Sequence, residues 1–271
     1  SQLLFEIPAG QSSIGRNDMV VLNIIAANKW KRPIYFTSPQ APAGLAFYLR
    51  KDGLSYRLVP LGPKQPQQNW LADRILRQSG AGGTALRDNN QEFMYKNLME
   101  KFGFGGADLD GVYFDEENRR HLLNIRSAYA EAAGNMAEAG KKEEANKLLE
   151  KAEKGINTNN LPYAMVSRYS SHNQNGLVYL EAAYKAGNIA LADKVRKALR
   201  TDIEQQKRYY QSVAGFEGAE VQLNEIMLMV LDGLEKQYGS QPQQQAPTVS
   251  PSKETNAGTI KTQAADSGNK K

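Results

Sequence analysis

The sequence predicts an α+β protein: a small N-terminal α/β unit over residues 1–61, a loop-rich connector with one docked helix over 62–118, an all-α region of helical hairpins over 119–238 and a disordered tail over 239–271. Three observations carry this. Residues Asn28 to Thr37 (Asn-Lys-Trp-Lys-Arg-Pro-Ile-Tyr-Phe-Thr) join a helix-like stretch to a strand-like one. From Arg119 to Gln237 the chain is rich in Ala, Leu, Glu and Lys at helical spacing, with Pro162 as its one proline. From Gly239 onward large apolar side chains almost vanish, leaving too little burial to offset chain entropy.

Leu3 to Ile7 reads as a strand stopped by Pro8 and Gly10. Asn17 is the expected cap of a helix with Asp18 in its first turn, because Val20, Val21, Ile24 and Ile25 recur at helical spacing and Leu22 widens the face. That helix ends near Asn28. Pro33 disfavours helix at Arg32, so the chain turns extended, and Ile34-Tyr35-Phe36-Thr37 reads as a buried strand. A short helix is expected from Ala43 to Arg50, then an Asp52-Gly53 turn into an alternating strand, Leu54 to Val59. The unit holds about three strands on this pattern.

Ser79 to Thr84 is a glycine-rich loop, and Phe93, Met94, Leu98 and Phe102 mark one docked helix between Gln91 and Phe102. Asp115, with Glu116 and Glu117 behind it, caps the next. Ala133, Gly140, Ala145 and Ala152 then occupy the small-residue positions of a tetratricopeptide-like hairpin, with Gly140-Lys141-Lys142 in its turn. Leu180, Gly187 and Ala192 repeat those offsets 47 residues later, but Leu199 replaces the fourth small residue. Since the usual period is about 34, an insertion near Asn157 to Asn175 is expected. Ala219 to Tyr238 supplies a closing helix.

The 271 residues include no cysteine, which excludes disulfides, thiolate metal sites and a Cys nucleophile. A net charge of +5 without a dense basic block argues against nucleic acid as a partner. The longest apolar run, Met19 to Ala27, is interrupted by Asn23 and falls short of the roughly 20 residues of a membrane span. The first residues lack the basic start and cleavage site of a signal peptide, so export would need a signal upstream of Ser1.

Chemistry-bearing patterns are sparse. Asp108, Asp110, Gly111 and Glu117 match four positions of a calcium loop, but Gly106 stands where its first carboxylate belongs, which favours a glycine-rich turn. The clusters around Gly80 and Gly105 lack the Lys-Ser/Thr ending of a phosphate loop. His121 and His172 lack zinc-helix spacing, and there is no Gly-x-Ser-x-Gly elbow. No catalytic residue, metal or cofactor is therefore predicted. Aromatic residues concentrate early, however, with fourteen of the twenty-three in the first 120 positions. Aromatic faces bordered by Arg suit sugars and lipid-linked phosphate. Trp30 and Arg32, flanking the turn, are the better candidates; Tyr35 and Phe36, inside an apolar strand, read first as core.

The segment Asn17-Asp18-Met19 through Trp30-Lys31-Arg32-Pro33-Ile34-Tyr35-Phe36, then Gly44-Leu45 to Tyr48-Leu49 and Gly53 to Pro60, resembles the C-terminal region of a bacterial polytopic membrane-protein family similar to protein O-mannosyltransferases. Asn97-Leu98, Lys101-Phe102, Val112 to Asp115 and Arg120 follow in that family's order. The resemblance covers roughly residues 1–150. It implies a water-soluble domain on the periplasmic side of the inner membrane, attached to a membrane-embedded glycosyltransferase that uses a lipid-phosphate-linked sugar. The catalytic acids of such enzymes lie near the start of the membrane region, so none carries over. The expected ligand-binding set is Trp30, Arg32, Tyr35, Tyr56, Arg57 and Arg120. The expected partners are the parent's membrane domain and a glycan or acceptor polypeptide. A helical-repeat module that binds protein and takes no part in sugar transfer is the alternative.

Overall fold

In the computed structural model, which describes residues 14–38, 45–59, 91–213 and 218–239, helix α1 spans Arg16–Asn28. Its cap is Gly15, not Asn17: Asp18, at the third helical position, reaches back and accepts a hydrogen bond from the Gly15 backbone N–H at 3.0 Å. That contact is the reciprocal half of a capping box, in which the third-position carboxylate serves the cap residue's own amide.

Strand β1 (Tyr35–Phe36) leads to a 3-10 turn (Leu45–Tyr48) that runs straight into β2 (Leu49–Asp52), and a turn at Gly53 returns the chain as β3 (Ser55–Leu58). The sheet is antiparallel throughout, in the order β1-β3-β2. The helix expected from Ala43 to Arg50 is thus a single 3-10 turn followed by a strand. The hairpin explains the difference. Gly53 adopts φ +79°, a conformation glycine takes without penalty, and the tight reversal pairs Leu49 with Leu58 across the strands. Leu45, Leu49 and Leu58 then form one buried cluster, against which Val21, Leu22 and Ile25 of α1 pack with Ile34 and Phe36. Shared burial outweighs the weak local helix preference.

The remainder is helical: α2 (Gln91–Glu100), α3 (Glu116–Glu138), α4 (Lys142–Gly155), a 3-10 turn (Arg168–Ser170), α5 (Ser171–Lys185), α6 (Ile189–Ser212) and α7 (Ala219–Tyr238). Asp115 caps α3 as expected, accepting from the Asn118 N–H at 2.8 Å. Helix α3 packs against α4 and α5, α5 against α6, and α7 closes on α6 and α5. The central helix is α5, buried along almost its whole length from His172 to Tyr184. Helix α2 docks by the carbonyls at its end. Leu98 accepts from the Tyr129 hydroxyl at 2.6 Å and from Lys151 at 2.8 Å, and Met99 from Lys151 at 2.6 Å.

Both helical hairpins end their first helix alike. Gly140 and Gly187 lie at φ +81° and +75°, and the following amides, of Lys141 and Asn188, donate back to Met136 and Ala183. These are Schellman closures, which require a left-handed residue and so select glycine. A connection over residues 156–170 links the two hairpins. Buried side chains pin it from beneath: Asn160 donates to the Ala107 and Leu109 carbonyls, and the His172 ring nitrogen Nε2 lies 2.8 Å from the Pro162 carbonyl. Burial lowers the His172 pKa, so the ring resists protonation.

Among the described residues no helix is long and apolar enough to cross a membrane. The strand expected at Leu3 to Ile7, the loop over 62–90 and the tail from residue 240 lie outside the described residues.

Candidate functional site

Helix α1 stops and reverses within a few residues, because Pro33 disfavours helix at Arg32 and β1 begins at Tyr35. The reversal uses two consecutive left-handed residues that are not glycine, Lys29 at φ +46° and Trp30 at φ +59°. Asn28 holds it closed: its side-chain amide donates to the Arg32 carbonyl at 2.6 Å, and its carbonyl accepts from the Lys31 N–H at 2.9 Å. Each left-handed residue costs roughly 1–2 kcal/mol, so the rest of the unit must over-determine this turn. The consequence is a presented set of side chains, since Lys29, Trp30, Lys31 and Arg32 are all exposed. Lys29→Gly should raise the unfolding free energy by about 0.5–1 kcal/mol, as it removes the Cβ penalty at the helix end. Urea denaturation measures this, and unchanged or reduced stability would show that the turn is not strained.

The sheet sorts the other candidates by register. Directly opposed residues share a face, so Tyr35, Arg57 and Arg50 form one row across β1, β3 and β2, and Phe36, Tyr56 and Lys51 form the row on the other face. The second row turns inward. Phe36 and Tyr56 pack on the Leu45 cluster, and Lys51 reaches Glu131 of α3 at 2.6 Å. Burial is the largest single influence on Lys51 and lowers its pKa, but the charges of Glu131 and Tyr56 and the hydrogen bond to Glu131 together outweigh it and leave the pKa raised; burial raises that of Tyr56. Tyr56 is therefore part of the unit's support rather than its presented surface.

The first row faces outward. Tyr35 is 43% exposed and opposes Arg57, which opposes Arg50 in turn. Like charges directly across strands repel, and Asp52 compensates one of them, taking a bidentate pair from Arg50 at 2.9 and 3.0 Å while itself buried. Arg57 has no hydrogen-bond or ion-pair partner among the described residues. An anion placed beside Arg57 and Tyr35 would relieve that repulsion, with the ring available to stack on a sugar.

Arg120 is not brought to this face. It lies in the first turns of α3, exposed and ion-paired with Glu117, which also sits 3.2 Å from His121. Along the helix it stands about 16 Å from Glu131, the residue that meets the sheet. Of the calcium-loop positions, Asp110 accepts from the Asn157 side chain at 2.6 Å, and Gly106 and Gly111 adopt left-handed turns. Among the described residues no group of three or more His, Cys, Asp or Glu could hold a metal ion.

The sequence reading missed a buried polar cluster between the hairpins. Arg126 of α3 donates to the Leu161 and Pro162 carbonyls at 2.6 and 2.9 Å, and its guanidinium lies over the rings of Tyr163 and Tyr179. Both tyrosine hydroxyls donate to Glu153, at 2.5 and 2.8 Å. A signal existed: Arg126 lies on the same helical stripe as Leu122, Ala130 and Ala133, and an arginine on a core-facing stripe demands buried acceptors.

No curated protein and no solved structure matches the chain. A family model, TMEM260-associated domain 2, matches residues 1–74, a stretch that contains α1, the left-handed turn and the whole sheet, with Trp30, Arg32, Tyr35, Tyr56 and Arg57 inside it and Arg120 outside. Over that stretch the chain is similar to TMEM260-associated domain 2, which is consistent with a family related to the one its motifs resemble.

Proposed function

We propose that this chain is a non-catalytic, periplasmic domain of a membrane-embedded glycosyltransferase similar to protein O-mannosyltransferases, and that its outward sheet face positions a sugar phosphate or glycan beside the parent's catalytic region. The observation that supports this reading is the row Tyr35–Arg57–Arg50, in which one arginine is paired with Asp52 and the other has no ion-pair partner among the described residues and stands opposite an exposed ring. Trp30 and Arg32, presented by the strained turn, extend the binding residues on the same unit. The helices behind it act as a tetratricopeptide-like support.

Calorimetric titration of the chain with a short-chain polyprenyl-phosphate hexose tests this. Binding is expected, and Arg57→Ala should weaken it about tenfold or more, the usual loss for one charge-assisted hydrogen bond. Tyr35→Ala should weaken it less. Absence of binding, or affinity indifferent to both substitutions, would sink the proposal.

The twin Schellman closures favour one other reading, a helical-repeat module that binds a protein partner, because two hairpins built alike and closed by α7 have the form of a short array. Capture of the acceptor polypeptide by residues 91–239, insensitive to Arg57→Ala, would favour it over the sugar face.

A further inference from the structure

We propose that α1 and the turn behind it form a docking face for an anionic bilayer surface. The proposal rests on this helix and its turn and shares only Trp30 and Arg32 with the sugar face, so its failure leaves the reading carried by Tyr35 and Arg57 standing.

Helix α1 is apolar on two sides. Val21, Leu22 and Ile25 face the sheet cluster, yet none of its 13 residues is buried. On the side away from the sheet, Met19, Val20 and Ile24 are 47, 58 and 54% exposed, and Ala27 continues their stripe. At 100° per residue these four span about 140° of the helix surface, with Asn23 and Arg16 between them. Trp30 and Ile14, 39 and 36% exposed, stand just beyond its two ends.

The charges around this stripe have one sign. Arg16, Lys29, Lys31 and Arg32 are exposed and have no carboxylate partner among the described residues. The single acid between Ile14 and Arg32 is Asp18, whose carboxylate is engaged with the Gly15 N–H at the helix start. An apolar stripe whose exposed charged neighbours on this segment are all cations, with a tryptophan at its edge, has the chemistry of a helix lying in the lipid headgroup region. Its length agrees. Thirteen residues make about 20 Å of helix, too short to cross a hydrocarbon core of about 30 Å but suited to lying along its surface. Charge complementarity selects the occupant: a protein surface would have to supply an apolar ridge and an acidic rim together, whereas an anionic bilayer offers both at once.

The test uses the full chain carrying Trp70→Phe, which leaves Trp30 as its sole tryptophan. Titration with vesicles of 30% phosphatidylglycerol in phosphatidylcholine at low salt should shift Trp30 emission to shorter wavelength, and half-molar salt should reverse the shift. Each cation facing such a surface multiplies partitioning roughly fivefold, so joint Lys29→Glu, Lys31→Glu and Arg32→Glu should lower it at least 30-fold. Joint Met19→Ser and Ile24→Ser, at exposed positions that leave the circular dichroism unchanged, should also abolish the shift. Equal partitioning onto pure phosphatidylcholine, or none onto either vesicle, would overturn the proposal. So would a concentration-dependent dimer, seen by light scattering and removed by Met19→Ser and Ile24→Ser, without vesicle binding, since the stripe would then belong to a second copy.

Discussion

Replacing Arg126 with alanine is expected to lower the unfolding free energy by about 3–4 kcal/mol, because it removes two hydrogen bonds from a charged donor and leaves two carbonyls in the interior without it. Those carbonyls, of Leu161 and Pro162, belong to the connection between the hairpins, 35 and 36 residues along the chain from Arg126. Burial holds the Arg126 pKa down, but the side chain stays charged at any ordinary pH and must be partnered where it is. The loss should be local before it is global. Amides of residues 156–170 should exchange at pH 7 much faster in Arg126→Ala than in the parent chain, whereas those of α6 and α7 should track only the change in global stability. Arg126→Lys keeps the charge but not the forked geometry, and should recover less than half of the deficit. A loss below about 1 kcal/mol for Arg126→Ala, read from urea denaturation, would mean that the connection is held by Asn160 and His172 and that Arg126 merely accompanies them.

Helix positions were legible in the sequence wherever a long apolar period coincided with a cap or a left-handed glycine. Asp115 and Gly140 bound α3, and Gly187 ends the stretch that carries α5, all as their residue types require. The run expected as a helix from Ala43 to Arg50, which instead gives a 3-10 turn and a strand over its described residues, is eight residues long, and for so short a run local propensity carries little information. Its fate is decided by Leu58, fifteen residues from Ala43, through a hairpin that no local window contains. What holds the connection over residues 156–170 was not legible, because hydrogen bonds from Arg126, Asn160 and His172 to backbone carbonyls leave no trace in the accepting residues.

For the candidate site, the sequence supplied residue types but not sides. Tyr35 and Phe36 are neighbours in one apolar strand and alternate across it, so one must face out if the other faces in, and only the Leu45–Leu49–Leu58 cluster fixes which. The same alternation separates Arg57 from Tyr56. The strain at Lys29 and Trp30 was likewise invisible, since the sequence offers no glycine where the backbone turns left-handed. Arg120 entered the set by resemblance, and the fold places it on another element.

Gly176→Ala should cost about 2–3 kcal/mol, although alanine favours a helix over glycine by about 1 kcal/mol, and the adverse sign is the point of the experiment. A methyl group at residue 176 would lie 2.8 Å from Leu199 Cδ2 and 2.8 Å from the Tyr163 carbonyl oxygen. The leucine can rotate; the carbonyl belongs to the pinned connection and cannot. This glycine also accounts for a break in the repeat. Moved back by 47 residues, Gly176 falls on Tyr129 and Leu199 falls on Ala152, so one hairpin carries a large residue on its first helix and a small one on its second, and the other hairpin reverses them. Interior volume is conserved by exchanging which helix supplies the bulk. It follows that Leu199→Ala, which opens a cavity in the parent chain, should cost less in the Gly176→Ala background, because it relieves the side-chain clash there while leaving the carbonyl contact in place. Urea denaturation of the two single variants and the double variant measures that coupling. Full additivity would show that residues 176 and 199 do not share the space the repeat assigns them.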